Sequence, residues 1–251
     1  SHQYALGGYY TGINGWEFSV EGYYKDMRNV LEYKDGVSFF GSSSGWENKV
    51  EMGKGRSAGI EFMAQKTAGK TTGWLSYTLS KSDRKFTKGG INNGEWFPYK
   101  YDRRHSINLT INHKFSDRID IGASWVFYTG GTSTIPEEKT TVIRPHNGAN
   151  NGFLWYGTYD NTNSSPTIGD VSYIEHRNNF RLPASHRLNL GVNFNKKTKH
   201  GMRTWNISLY NAYNAMNPAW VYRGHNKQGL SVIKKYTLLP LIPSFTYTYK
   251  F

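Results

Sequence analysis

The residue types able to do chemistry are present but do not converge. The chain holds eight histidines and no cysteine. His105, His113 and His186 lie in or beside segments of alternating polarity, and His146, His176 and His225 lie between them. No His-Glu-x-x-His or His-x-x-Glu-His spacing sets two imidazoles on one helical face for a metal. Glu175-His176 stands alone, so a structural or solvated role is favoured for the histidines. Gly53-Lys-Gly-Arg56 lacks the Gly-Lys-Ser/Thr that closes a phosphate-binding loop, and it precedes a strand rather than a helix. Carboxylates are few and separated, which leaves no candidate glycosidase pair. Without thiols there are no disulfides and no cysteine-based zinc or redox chemistry. The expectation is a protein that is not an enzyme, with no metal and no cofactor.

Residues suited to binding are easier to find. Tyr101-Asp-Arg-Arg-His105 stands where a long connection re-enters a strand. Arg103 and Arg104 could grip an anionic ligand through paired N–H donors. Alternatively, Asp102 pairs locally and the arginines sit at a rim near lipopolysaccharide phosphates; this second reading is favoured. Gly152-Phe-Leu-Trp-Tyr-Gly-Thr-Tyr159 gathers aromatics in a polar connection, where exposed rings mark binding more often than strand aromatics do. They could stack on a sugar, a siderophore or a partner lipoprotein, or pack a small core of the loop itself. Trp46 and Trp96-Phe97 are weaker cases of the same kind. The ligand-contact candidates are therefore Trp46, Trp96, Arg103, Arg104, Phe153, Trp155, Tyr156, Tyr159 and His176.

These candidates hang on segments with period 2, the signature of strands. Ile107, Leu109, Ile111 and His113 oppose Ser106, Asn108, Thr110 and Asn112. Ile119, Ile121, Ala123, Trp125 and Phe127 return after the turn at Ser116-Asp117-Arg118. Tyr4–Tyr10, Trp16–Tyr24, Ala58–Ala64, Leu75–Leu79, Leu188–Phe194 and Trp205–Leu209 alternate likewise. In the closing segment Phe245, Tyr247, Tyr249 and Phe251 oppose Ser244, Thr246, Thr248 and Lys250. Short turns near Thr11, Thr67, Ser116 and Lys196 alternate with long connections near Lys25–Gly55, Ser82–Arg103, Thr129–Ser185 and Asn214–Leu241. The last of these has the makings of a small hairpin around Asn226–Gly229.

Long connections inside a compact domain argue against a strand assignment. A transmembrane barrel resolves the conflict, with short turns on one rim and long loops on the other. Polar alternate residues would cost about 1–3 kcal/mol each if buried unpaired, and little if they face a wet lumen. The expected fold class is all-β: a portion of a transmembrane antiparallel β-barrel with about nine strands.

Composition agrees. The chain has 251 residues, with 19 Tyr, 13 Phe and 8 Trp, enough rings for interfacial girdles or a sugar-binding surface. Mean hydropathy is −0.67, as expected where only alternate residues meet lipid. No apolar run is long enough for a membrane-spanning helix. The net charge of +13 comes from scattered Lys and Arg, and no recognised motif accompanies it, so nucleic acid is not an expected partner.

Tyr77-Thr-Leu-Ser-Lys81, Gly94-Glu-Trp-Phe-Pro98, Tyr101-Asp-Arg-Arg-His-Ser-Ile-Asn108, Ser185-His-Arg-Leu-Asn-Leu190, Leu209–Pro218 and Pro240–Phe251 occur in this order. The set resembles TonB-dependent outer-membrane receptors, especially those of Bacteroidetes. The resemblance implies a barrel of about 22 strands with an N-terminal plug, of which residues 1–251 supply the C-terminal strands. It implies nutrient import across the bacterial outer membrane with energy from the TonB complex. The expected partners are the remaining barrel and plug residues, TonB through that plug, the outer-membrane assembly machinery, a surface lipoprotein and lipopolysaccharide. Phe245, Tyr247, Tyr249 and Phe251 match the family's membrane-insertion signal. The ligand stays open among siderophore, haem, cobalamin, glycan and peptide. The alternatives are a passive porin-like barrel, an outer-membrane hydrolase and a soluble carbohydrate-binding sandwich.

Overall fold

Polarity that changes at every residue is satisfied by extended backbone, which sends neighbours to opposite faces. The computed structural model describes residues 1–34, 45–87, 91–136, 138–144 and 167–251. Its strands are β1 (His2–Tyr10), β2 (Trp16–Tyr33), β3 (Val50–Lys66), β4 (Thr71–Lys85), β5 (Phe97–Pro98), β6 (His105–Lys114), β7 (Ile119–Tyr128), β8 (Thr132–Ser133), β9 (Glu138–Arg144), β10 (Thr167–Tyr173), β11 (Phe180–Arg181), β12 (Ser185–Thr198), β13 (Gly201–Tyr210), β14 (Pro218–His225), β15 (Ser231–Thr237) and β16 (Ile242–Lys250). A ten-stranded sheet follows the path β1-β2-β3-β4-β6-β7-β12-β13-β16, with β5 added to β4. Every pairing in it is antiparallel.

Register turns the sequence pattern into two continuous faces. Phe18, Ala64, Leu75, Leu109, Trp125 and Leu188 form one row across six strands. Ile121, Val192, Ile207 and Phe245 form another. On the opposite face Glu61, Thr78, Ser106, Tyr128 and Ser185 share a row. The apolar face is open: Leu6 is 85% exposed and Phe245 66%. Among the described residues, the buried apolar side chains are only Phe86, Ile91, Phe97 and Ile135. Burying a large apolar side chain is worth about 1.5–3 kcal/mol. A sheet that leaves its whole apolar face uncovered therefore needs another apolar phase against it.

The small core sits at the long-connection end, where Phe86, Ile91 and Phe97 pack with Val30. Gly53 makes this possible, since a Cβ there would lie 2.4 Å from the Phe86 ring. Polar side chains knit the other end of the polar face. Asp120 accepts 2.7 Å hydrogen bonds from Asn193 on one oxygen and Asn195 on the other. Asn193 in turn accepts from Asn206, and Asn195 from the Thr204 hydroxyl. Ring packing of Trp205 against Phe245, stacked at 5.0 Å, and Tyr247, tilted at 4.4 Å, ties β13 to β16. Such pairs contribute about 0.5–1.5 kcal/mol beyond area burial.

Several boundaries differ from the sequence expectation. β2 continues to Tyr33 and β3 begins at Val50, inside the stretch read as a polar connection from about Lys25 to Gly55. Polar residues occupy both faces there, so the alternation fades while the backbone ladder continues. β4 reaches Lys85 and β12 reaches Thr198, leaving a two-residue turn before β13. The connection after β7 carries the short strands β8 to β11, and the one after β13 carries the hairpin β14–β15. Asn226 makes that hairpin's turn by accepting from the amides of Gln228 and Leu230, the usual Asx device. Phe251 lies just beyond β16 and is fully exposed.

Candidate functional site

The polar face gathers positive charge toward the long-connection rim, and tyrosines hold that charge in place. The Arg103 guanidinium lies 3.9 Å from the centre of the Tyr128 ring, Arg84 lies 4.1 Å from Tyr99, and Arg187 lies 4.3 Å from Tyr210. Each stack contributes about 0.5–2 kcal/mol and leaves N–H edges able to meet an anion. Arg187 also donates to the Tyr210 hydroxyl, while its Nε is buried without a hydrogen-bond partner. A recess of about 480 Å³ opens here, lined among others by Lys100, Tyr101, Arg103, Tyr128 and Trp220. Tyr101 and Trp220 expose much of their ring area. The same face also carries acids, with Glu21 directly across from Glu61.

Asp102 fixes this rim. Its side chain is fully buried, accepting 2.6 Å hydrogen bonds from the Ser82 amide on Oδ1 and from Arg181 Nη2 on Oδ2. Arg104 Nε lies 3.3 Å from the same Oδ2. Arg181 Nη1 also donates to the carbonyls of Asp102 and Gly130. The rim is closed further by Arg177, which donates to the Tyr33 carbonyl and pairs with Glu32.

The other residues singled out from sequence are dispersed. Trp46 is exposed in a short 3-10 turn between β2 and β3. Trp96 lies under the Arg56 guanidinium, 4.3 Å from its ring centre. His176 is exposed beside Arg177. Phe153, Trp155, Tyr156 and Tyr159 fall outside the described residues. Only Arg103 and Arg104 come near the recess or its clamp. Arg181, Arg187, Tyr128 and Trp220 had no sequence signal of their own, although Arg187 lies inside the Ser185-His-Arg-Leu string.

The strand histidines are taken up by hydroxyls: His105 by Tyr77, His186 by Tyr213 and His113 by Thr71, at 2.7–2.9 Å. No group of acids and histidines able to hold a metal occurs among the described residues. Gly41-Ser-Ser-Ser-Gly45 has the lettering of a hydrolase nucleophile elbow, which needs a strand running straight into a helix. It lies between the end of β2 and the start of β3, and residues 41–44 are outside the described residues.

A two-faced antiparallel sheet, an uncovered apolar side and a cationic aromatic rim are now in place. Residues 1–223 match the family described as "TonB dependent receptor-like, beta-barrel". The chain belongs to that family. The match is to receptor barrels at large, and nothing in it singles out the Bacteroidetes type. The receptor barrel also resembles a solved structure, the ferric-catecholate import receptor Fiu from E. coli K12 in a closed form, with a TM-score of 0.54 and 13% identity. The alignment covers 98% of this chain and 27% of Fiu, so the chain spans about a quarter of that receptor's length. At that identity the likeness speaks for the fold. No curated relative matches the sequence.

Proposed function

We propose that the chain forms part of the wall of a TonB-dependent transporter in the bacterial outer membrane. The transporter takes a nutrient at its outward mouth and imports it with energy relayed by TonB. The observation that carries this reading is the continuous apolar face, exposed along the whole strand path, on a member of the receptor-barrel family. That face meets acyl chains, and the polar face lines the lumen. The rim with the long connections then faces the cell exterior, and the rim with the short turns faces the periplasm.

Among the described residues, nothing pairs with the outer edge of β1 or of β16. Open edges are not tolerated in lipid. We therefore place further strands beside both, together with a plug in the lumen, as the family resemblance implies. The terminal ladder of Phe245, Tyr247, Tyr249 and Phe251 serves as the signal read by the assembly machinery. The stacked Arg–Tyr rim suits an anionic ligand, and Tyr101 and Trp220 offer it rings. Fiu is described as a ferric-catecholate importer; an anionic aromatic chelate is one ligand of the class this rim would accept.

The test uses the full-length protein reconstituted in planar bilayers and offered the periplasmic domain of TonB. A plugged transporter stays non-conducting and captures TonB. A passive porin conducts steadily and captures none.

A further inference from the structure

The lipid-facing side of the sheet does not stay apolar up to the outer rim. Above the row Tyr24–Ala58–Lys81 comes Asp26–Arg56–Asp83, and above that Arg28–Lys54–Lys85. The lower of these two charged rows is neutralised. Arg56 meets Asp83 at 3.1 Å, and Lys81 meets it at 3.4 Å. The upper row is not. Three cations stand directly opposite one another on adjacent strands, an arrangement that is destabilising by itself. Arg28 reaches Asp26 only at 3.7 Å, with two-thirds of its side chain exposed. Lys54 and Lys85 have no ion-pair partner among the described residues.

With strands about 4.8 Å apart, the row spans about 10 Å. It stands about 14 Å along the strands above Tyr24, at about 3.4 Å per residue. It borders a recess of about 770 Å³, lined also by Lys34, Met52 and Trp96. Glu51 lines the recess as well, but both its carboxylate oxygens are buried away from solvent. The accessible charge is therefore positive. An amphipathic group lying against the barrel would find cations for its head and, beneath them, the Trp96 ring beside Arg56.

We infer that Arg28, Lys54 and Lys85 form a binding site for the phosphate of a phosphorylated glycolipid of the outer leaflet. The site rests on the barrel orientation proposed above. It differs from the sequence expectation, which put such contacts on Arg103 and Arg104. Arg103 instead stacks on Tyr128 of the polar face, and Arg104 pairs with Asp102.

The experiment takes the full-length protein, delipidated in mild detergent, and titrates it by native mass spectrometry with bisphosphorylated lipid A, dephosphorylated lipid A and inorganic phosphate. The comparison is with an Arg28→Gln/Lys54→Gln/Lys85→Gln variant. The expected result is at least tenfold weaker retention of bisphosphorylated lipid A by the variant, with weak binding of dephosphorylated lipid A by both proteins. Equal retention by the two proteins overturns the site, as does equal binding of the two lipids. Competition by inorganic phosphate at concentrations equal to the lipid shows a free-anion site instead and overturns the lipid assignment. Heat-modifiable migration of both proteins in electrophoresis reports the folded barrel separately. Its loss in wild type would bring down the barrel on which the site rests, whereas its retention beside equal lipid binding would bring down only this site.

Discussion

Asp102 and Arg181 lie 79 residues apart and are joined by a 2.6 Å hydrogen bond from Nη2 to Oδ2. The bond fastens the connection after β7 to the one before β6. Breaking a buried pair by removing one partner costs about 3–5 kcal/mol. The Arg181 side chain is one-third exposed, so the low end applies here. Asp102→Ala should lower the thermal unfolding midpoint in detergent clearly. Arg181→Ala should lower it less, and the double variant should lie well short of their sum. Additive effects would show that the two side chains do not act together.

Arg103 should contribute to binding through the recess more than to stability. Arg103→Gln should weaken an anionic ligand about tenfold or more, as expected for losing a charge-assisted contact of about 1.5–3 kcal/mol, and lower the unfolding midpoint only by the lost Tyr128 stack, about 0.5–2 kcal/mol. Calorimetric titration of the full-length protein checks this. Lys227→Gln in the β14–β15 turn is the control that should bind as wild type.

Asp120 binds two asparagines on adjacent positions of the β12 polar face. Asp120→Ala leaves Asn193 and Asn195 each short of an acceptor, at about 1–3 kcal/mol per unsatisfied group where water does not replace it. The lumen is wet, so the lower figure applies. Asp120→Asn should be milder than Asp120→Ala, read as urea midpoints in detergent.

The ends of β16 separate folding from targeting. Tyr247 packs its ring against Trp205, so Tyr247→Ala should lower both stability and the amount assembled in cells. Phe251 is fully exposed beyond the strand. Its deletion should reduce assembly in cells several-fold while leaving the refolded protein's midpoint within about 0.5 kcal/mol of wild type.

In the turn after β6, the Lys114 ammonium beside Asp117 holds that carboxyl below its ordinary value. A carboxylate depressed in the folded state stabilises at pH above its unfolded value, and the contribution fades as pH falls through the folded one. The site is fully exposed, so stability should barely respond. The Asp117 carboxyl resonance should titrate below the ordinary aspartate range and return toward it in Lys114→Ala.

Much of the sheet was legible because lipid and water on its two faces impose period 2. Leu109 opposite Trp125, and Ile111 opposite Ala123, follow from alternation plus the short turn at Ser116-Asp117-Arg118. The strand extensions Lys25–Tyr33 and Val50–Gly55 were not legible. Water lies on one side and water or polar head groups on the other where a strand rises above the hydrocarbon, and nothing then selects apolar residues on either face. The site was legible only at Arg103 and Arg104. Asp102–Arg181 and Arg28–Lys54–Lys85 are made by long-range register and loop packing, which no local spacing encodes.

In the proposed barrel the Leu109 side of the sheet faces lipid and the Asn108 side faces water. The chain has no cysteine, so single cysteines at 106 to 111 can be introduced and spin-labelled in the membrane-embedded, full-length protein. Labels at Ile107, Leu109 and Ile111 should collide with oxygen dissolved in the bilayer, and those at Ser106, Asn108 and Thr110 with a water-soluble nickel chelate. Equal access of the chelate to all six positions, or alternation in the opposite phase, would contradict it.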